Sequence, residues 1–342
     1  MVTTTKQPRI RLGRHGPTDV APLGLGCMGM SGIYGATDEA ESIATIHAAL
    51  DAGINLVDTG DFYGSGYNEA LLGRALQGRR DQVLLSVKFG ALRTPDGGWG
   101  GVDGRPAAVR NFLAYSLQRL QTDHVDIYRL ARLDPQVPIE DTVGAVADLV
   151  RAGYVRYIGL SEMSGETVER AHRVHPITDL QIEYSLLSRG PEASIFPKLR
   201  ELGVGVTAYG VLSRGVLSQS RPTGPKDYRA HLPRFSGPNW DANRRLVDAL
   251  SQVATELGTT ATEAAIAWTM TRMGRLGLDA VTLVGARTRR QLEVALAAAA
   301  LKLSDDAIAR IEAAVPPGSG AGARYAQAAM AHLDSERPAS GM

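Results

Sequence analysis

Along this chain the spacing of apolar residues switches repeatedly between a helical period and short β-branched runs. Thr37-Asp38 can cap a helix that carries Ile43, Ile46 and Leu50 on one face; it stops at Asp51-Ala52-Gly53, and Ile54-Asn55-Leu56-Val57-Asp58 follows. Val143, Val146, Ala147 and Val150 form a second stripe, closed by Arg151-Ala152-Gly153 and followed by the run 154–160. Residues 194–203 end in Glu-Leu-Gly, and the run 204–209 follows. In each case the glycine supplies the left-handed residue that ends a helix. Strands are predicted at 22–26, 54–58, 83–88, 125–130, 154–160, 179–183, 204–209 and 280–285. Strands alternating with helices imply a parallel sheet. Eight such units in roughly 300 residues fit a closed (β/α)8 TIM barrel. Gly24, Gly26 and Gly29 match G-x-G-x-x-G only superficially, because no helix opens at once and no acidic ribose reader follows at the right distance.

Three long segments interrupt the alternation: 90–106, 218–240 and the Gly/Ala/Pro-rich 316–342. The first two leave C-terminal strand ends, where barrels build their active sites. They carry Trp99, Phe235 and Trp240, which are read as substrate walls, with local loop packing as the alternative. The third is expected to be a flexible C-terminal tail or loop on a single domain spanning 1–342.

Composition narrows the function. The chain has 342 residues, 44% hydrophobic and 21% charged, with a net charge of +1. That supports a full core and argues against a nucleic-acid or membrane-surface protein. No apolar run opens the chain as a secretory signal would, and no stretch approaches the roughly 20 apolar residues of a bilayer span. A cytoplasmic protein is expected. Cys27 is the only cysteine, so intramolecular disulfides and cysteine zinc sites are excluded. No cluster of His, Asp and Glu with ligand spacing gathers at the strand ends, and no metal is expected.

The ionisable residues at strand ends are the candidates for chemistry. Asp58 ends the second strand, Tyr63 follows in Asp-Thr-Gly-Asp-Phe-Tyr-Gly, and Lys88 ends the third strand. An ammonium entering an apolar barrel needs a carboxylate, and Asp58 on the adjacent strand can supply it. The ammonium is expected to lower the Tyr63 pKa from its usual value of about 10, making the phenol a general acid near neutral pH. The alternative is a buried salt bridge that only fixes the barrel. After the last strand, Arg287, Arg289 and Arg290 crowd a helix start. Arginines and free N–H groups there form an anion site suited to a 2′-phosphate, unless this is only a solvated basic turn.

With those features, the sequence resembles the aldo-keto reductase superfamily over nearly its whole length. The resemblance runs from an Arg-Ile-Arg-Leu-Gly-Arg-His-Gly β-hairpin before the barrel, through Gly24–Met30, Asp58–Gly64, Lys88 and Gly159-Leu160-Ser161, to Gly285–Leu292. It implies a metal-free (β/α)8 barrel that uses NADPH/NADP to reduce aldehydes and ketones, or in reverse to oxidise alcohols. It makes Asp58, Tyr63 and Lys88 catalytic, with Tyr63 as general acid. Cys27, Met28 and Asp58 would lie against the nicotinamide, Ser161 and Gln181 would bind its carboxamide, and Tyr209 would stack on the ring. Gly210, Leu212, Arg214 and Gly215 would hold the pyrophosphate, and Gly285, Arg287 and Gln291 the 2′-phosphate. Tyr34, Trp99 and Ala131 would line the substrate pocket.

Three positions depart from the family's pattern. Glu162 stands where asparagine is frequent. Val294-Ala295 replaces the usual Glu-Asn adenine contacts. The fourth strand runs Leu-Ala-Arg-Leu-Asp-Pro where the family has Gln-His-Arg-x-Asp-Pro, so Ala131 takes the place of the catalytic histidine. Of the histidines elsewhere, only His231 on the 218–240 segment is placed to substitute for it. The lost imidazole would leave room for a larger substrate. Two functions fit: an NADPH-dependent carbonyl reductase working with a triad, or a non-catalytic NADP(H)-binding regulatory or sensor protein on the same fold.

Overall fold

The structure, a computed structural model, describes residues 8–337. Eight parallel strands close into a barrel: β1 (Leu23–Gly26), β2 (Leu56–Gly60), β3 (Leu84–Phe89), β4 (Val125–Leu130), β5 (Val155–Ser161), β6 (Ile177–Glu183), β7 (Gly205–Tyr209) and β8 (Ala280–Gly285). Each strand pairs with its sequence neighbours, and β1 closes on β8 with Leu23 opposite Thr282. Helices Glu39–Asp51, Tyr67–Ala75, Pro106–Leu120, Ile139–Arg151, Gly165–Val174, Phe196–Leu202, Ala261–Arg275 and Arg289–Ala300 occupy the seven crossovers and the return after β8. The predicted start at Asp38 is real: its side chain caps the first helix by accepting from the Glu41 N–H at 2.7 Å. Gly53, Gly153 and Gly203, which follow three of these helices, all have positive φ.

The N-terminal hairpin closes the bottom of the barrel. Ile10 bridges Val20 in antiparallel fashion, and fully buried Leu12 packs with Leu56, Ile127, Val281 and Leu283. No helix of the described residues is long and apolar enough to cross a membrane.

The long segments are more ordered than their composition suggests. Residues 90–106 contain a two-stranded hairpin, Ala91–Arg93 with Trp99–Val102. Trp99 is 46% exposed at its rim, tilted over His332 at 6.3 Å. Phe235 and Trp240 stack on each other at 5.8 Å, with Arg221 over the indole at 4.8 Å. For these two aromatics local packing has won over a substrate wall. His231 is exposed and shares a hydrogen bond with the Pro225 carbonyl at 3.0 Å, so it does not replace the missing histidine. Where a flexible tail was expected, residues 316–337 pack back over the barrel; residues 338–342 lie outside the described region. The reason is electrostatic: Arg324 is 7% exposed and bonds Glu162 at 2.8 and 3.0 Å and Glu336 at 2.6 Å.

Candidate active site

The chemistry-bearing side chains sit on a polar layer inside the barrel, near the C-terminal ends of the strands. Arg129 on β4, Gly159 on β5 and Asp179 on β6 lie side by side in register. Arg129 reaches across the middle strand and grips Asp179 with two bonds of 2.9 and 3.0 Å, both residues fully buried. Gly159 makes this crossing possible. A Cβ there would stand 2.7 Å from Arg129 Nη1 and 3.0 Å from Asp179 Oδ1. The Thr207 hydroxyl of β7 also donates to Asp179. Arg129 donates to Ser86 Oγ at 3.3 Å, and Ser86 donates to Asp58 Oδ2 at 2.9 Å. Asp58 pairs with Lys88 through its other oxygen. Gln181 Nε2, from β6 on the opposite wall, reaches Asp58 Oδ2 at 2.8 Å. Two carboxylates and two cations thus neutralise each other in the bore, which meets the desolvation cost of each.

The expected Lys88–Asp58 pair is therefore present, and Tyr63 stands beside it. The tyrosine opens the turn Tyr63–Gly66 after β2, is 9% exposed, and has Lys88 Nζ 5.0 Å from its ring centre. Its acidity differs from the expectation. Burial pushes the Tyr63 hydroxyl well above the usual phenol range, and the Asp58 charge adds to the rise. Lys88 is itself shifted downward by burial against the pull of Asp58. An ammonium committed to a carboxylate offers the neighbouring phenol little net positive field.

Asp61, in the same motif, was not singled out from the sequence. It is 8% exposed, and neither carboxylate oxygen has a well-formed hydrogen bond. Burial and the nearby Glu69 push its carboxyl up to about 8. Its protonated form is favoured in the folded state, so its contribution to stability is greatest below pH 4 and is lost as pH rises towards 8. Asp61→Asn is expected to raise stability at pH 9 by about 1–3 kcal/mol, the cost of a buried unsatisfied group. The gain should shrink towards zero at pH 4, checked by urea unfolding at both values.

The proposed cofactor residues line one side of the mouth. Ser161 and Gln181 are register partners at the ends of β5 and β6, and Tyr209 ends β7 opposite Glu183. Cys27 is fully buried, its N–H bonded to the Asp58 carbonyl at 3.0 Å, and Met28 follows at half burial. After β7 the backbone from Gly210 through Leu212 to Gly215 turns sharply, with φ of 66° at Gly210, 56° at Arg214 and 104° at Gly215. After β8, Gly285 leads to Arg287, whose N–H donates to Gln291 Oε1 at 2.9 Å and whose guanidinium holds the Tyr34 carbonyl at 3.1 Å. Arg289 pairs with Glu41 at 2.8 Å. Arg287 and Arg290 have no carboxylate partner among the described residues.

The C-terminal segment covers this side. Tyr325 shares a hydrogen bond with Tyr209 at 3.0 Å, lies 4.3 Å from the Arg214 guanidinium, and accepts from Arg132 at 3.4 Å. Arg214 pairs with Glu183 at 2.8 Å. Burial alone would raise the Glu162 carboxyl, but Arg324 and the Ser335 hydroxyl hold it far below the usual carboxylate range. Sequence reading had noted Glu162 only as a departure and had not connected it to Arg324. Ala131 is 1% exposed, and its place at the strand end is overlooked by Arg132 and Tyr325. Tyr34 is half-buried, with Arg229 5.2 Å from its ring centre. Of the adenine-contact positions, Ala295 is buried in the core and unavailable to a ligand.

Comparison with known proteins agrees with this geometry. The sequence profile of the Aldo/keto reductase family matches residues 22–316. A probable aldo-keto reductase 1 from Glycine max is 38% identical over 325 residues, covering 92% of this chain and 91% of its own length. Among solved structures, the holo form of aldo-keto reductase AKR11C1 from Bacillus halodurans is 28% identical with a TM-score of 0.75, over 94% of this chain and 99% of that one. An aldo/keto reductase from Klebsiella pneumoniae, in complex with NADP and acetate, is 25% identical with a TM-score of 0.71, over 91% and 96%. Glycerol dehydrogenase AKR11B4 from Gluconobacter oxydans shares the fold at a TM-score of 0.79, over the full length of both chains. With eight strands in the expected order and an Asp–Lys–Tyr cluster at their C-terminal ends, this chain belongs to the aldo/keto reductase family.

Proposed function

We propose that the protein is an NADPH-dependent carbonyl reductase that works through Asp58, Tyr63 and Lys88. The observation that carries this is the buried Asp58–Lys88 pair with Tyr63 over it, in a barrel whose C-terminal rim also offers an anion site at Arg287 after β8. Bound NADPH would supply hydride to the carbonyl carbon. Tyr63 gives its hydroxyl proton to the carbonyl oxygen as the C=O electron pair moves onto it. An alkoxide is a much stronger base than a phenolate, so the transfer runs downhill even from a phenol of raised pKa. The Asp58–Lys88 pair, with no net charge, fixes the floor beneath Tyr63, and the phenolate left by the transfer regains its proton from solvent after turnover. Gln181 and Ser161 would hold the nicotinamide carboxamide, and Tyr209 would stack on its ring once Tyr325 moved aside. The Klebsiella pneumoniae relative's NADP complex supports this cofactor. The test is a spectrophotometric screen of NADPH oxidation over aldehydes and ketones, and of NADP reduction over alcohols.

A non-catalytic NADP(H)-binding regulator is the second reading, favoured by Ala131 at the histidine position and Ala295 at the adenine contact. The intact triad speaks against it. Ala131→His separates a damaged site from a specialised one. Because Ala131 is 1% exposed, the imidazole has to displace neighbours at the strand end. Its expected effect is a fall in activity on the preferred substrate of about tenfold, from overpacking. A general gain across the aldehyde panel would show that the site simply lacks its donor.

A further inference from the structure

We propose that Arg132 selects carbonyl substrates that carry an anionic oxygen close to the reacting carbon, deepening the reductase reading above and resting on it. The buried arginines of the mouth are all committed to carboxylates. Arg214 and Arg234 pair with Glu183, Arg229 with Asp227, and Arg324 with Glu162 and Glu336. Arg132 differs: half-buried, it makes no ion pair among the described residues, a state it shares with Arg287 after β8. Its guanidinium is held only by the Ala131 carbonyl at 2.6 Å and the Tyr325 hydroxyl at 3.4 Å. Glu162 is within electrostatic range but is saturated by Arg324 and Ser335. A partly desolvated cation without a counter-charge is costly to maintain, and a ligand that brings the counter-charge recovers that cost.

The position says which ligand. Arg132 follows β4, next to the Ala131 position, and β4 pairs with β3, which carries Lys88. Its charge acts on both Tyr63 and Lys88. It therefore lies on the triad's side of the mouth. The phosphate-binding candidates follow β7 and β8, and in the closed order β8 lies diametrically across the barrel from β4. Arg132 leaves the β4 side of the mouth, next to β3 and its Lys88, so the anion it meets is assigned to the substrate rather than to a cofactor phosphate. Tyr325 holds the guanidinium's place through its hydroxyl oxygen, and it is also bonded to Tyr209, so the movement that frees Tyr209 also frees Arg132.

The test compares 2-, 3- and 4-carboxybenzaldehyde with their neutral methyl esters, using NADPH and the full chain. Wild type should favour at least one carboxylate over its own ester by tenfold or more in kcat/KM, expressed in KM. Arg132→Gln should reduce that ratio at least tenfold, and Arg132→Lys should restore part of it. No carboxylate preference in wild type, or an equal loss on acids and esters in Arg132→Gln, would overturn the proposal; the second result would make Arg132 a carbonyl-polarising or structural group. Calorimetric binding of benzoate and benzamide to the protein with NADP gives a readout without turnover. Benzoate should bind at least tenfold tighter than benzamide to wild type and lose that margin in Arg132→Gln. Absence of turnover on every aldehyde with the benzoate margin intact would sink the reductase reading and leave the anion site standing. Absence of the margin sinks the anion site.

Discussion

Tyr63→Phe is expected to lower kcat for carbonyl reduction by about 10²–10⁴-fold, the usual worth of a positioned general acid, with NADPH affinity changed by less than threefold. Phenylalanine keeps the ring beside Lys88 and the edge contact with Phe62, 4.9 Å between ring centres, and removes only the proton donor. The pH profile of wild type carries the second half of this result. A phenol shifted upward by burial and Asp58 keeps its proton to higher pH than a free tyrosine. The rate of reduction should therefore stay level through neutrality and fall only above about pH 10, the ordinary phenol value. A fall near pH 7, absent from Tyr63→Phe, would show that the Lys88 ammonium dominates after all.

Removing Arg129 should have the largest effect on stability. The guanidinium is 0% exposed and spans from β4 over Gly159 to Asp179 and back to Ser86. Arg129→Met leaves Asp179 charged in the bore with only Thr207 to hold it, and breaking one side of a buried ion pair costs about 3–5 kcal/mol. The urea midpoint should fall accordingly. Adding Asp179→Leu to the same chain should recover most of the loss, because two apolar residues of similar volume replace a pair that had to offset its own desolvation. If the double variant is no more stable than Arg129→Met, then the layer serves shape more than charge balance.

These residues also show what could be read from the sequence. The eight strands were legible because helical stretches alternate with short apolar runs, several of the helices ending at a glycine as at Gly53, Gly153 and Gly203; all eight segments overlap the observed strands. Asp58, Tyr63 and Lys88 were legible because ionisable residues at the exits of buried strands have few uses. The Arg129–Asp179 pair was not, since its partners are 50 residues apart and nothing local to Arg129 names its carboxylate. The tail was misjudged for a related reason. Its Gly/Ala/Pro-rich composition argues for mobility, but one arginine meeting Glu162, 162 residues away, outweighs that local tendency. The direction of the Tyr63 shift depended on how deep the ring is buried and on where the Lys88 charge is spent. Neither follows from spacing. Phe235 and Trp240 were assigned to the substrate because of the face they leave from, whereas their nearest aromatic partners turned out to be each other.

The central claim is that the Asp58–Lys88–Tyr63 triad is catalytically competent with alanine at position 131. Stopped-flow mixing of the NADPH complex with a carbonyl panel that includes the carboxybenzaldehydes tests it most directly. Wild type should oxidise the cofactor well above background, and Tyr63→Phe should lose at least a hundredfold in the rate of that phase. Oxidation no faster than background on every carbonyl, with wild type and Tyr63→Phe indistinguishable, would contradict it.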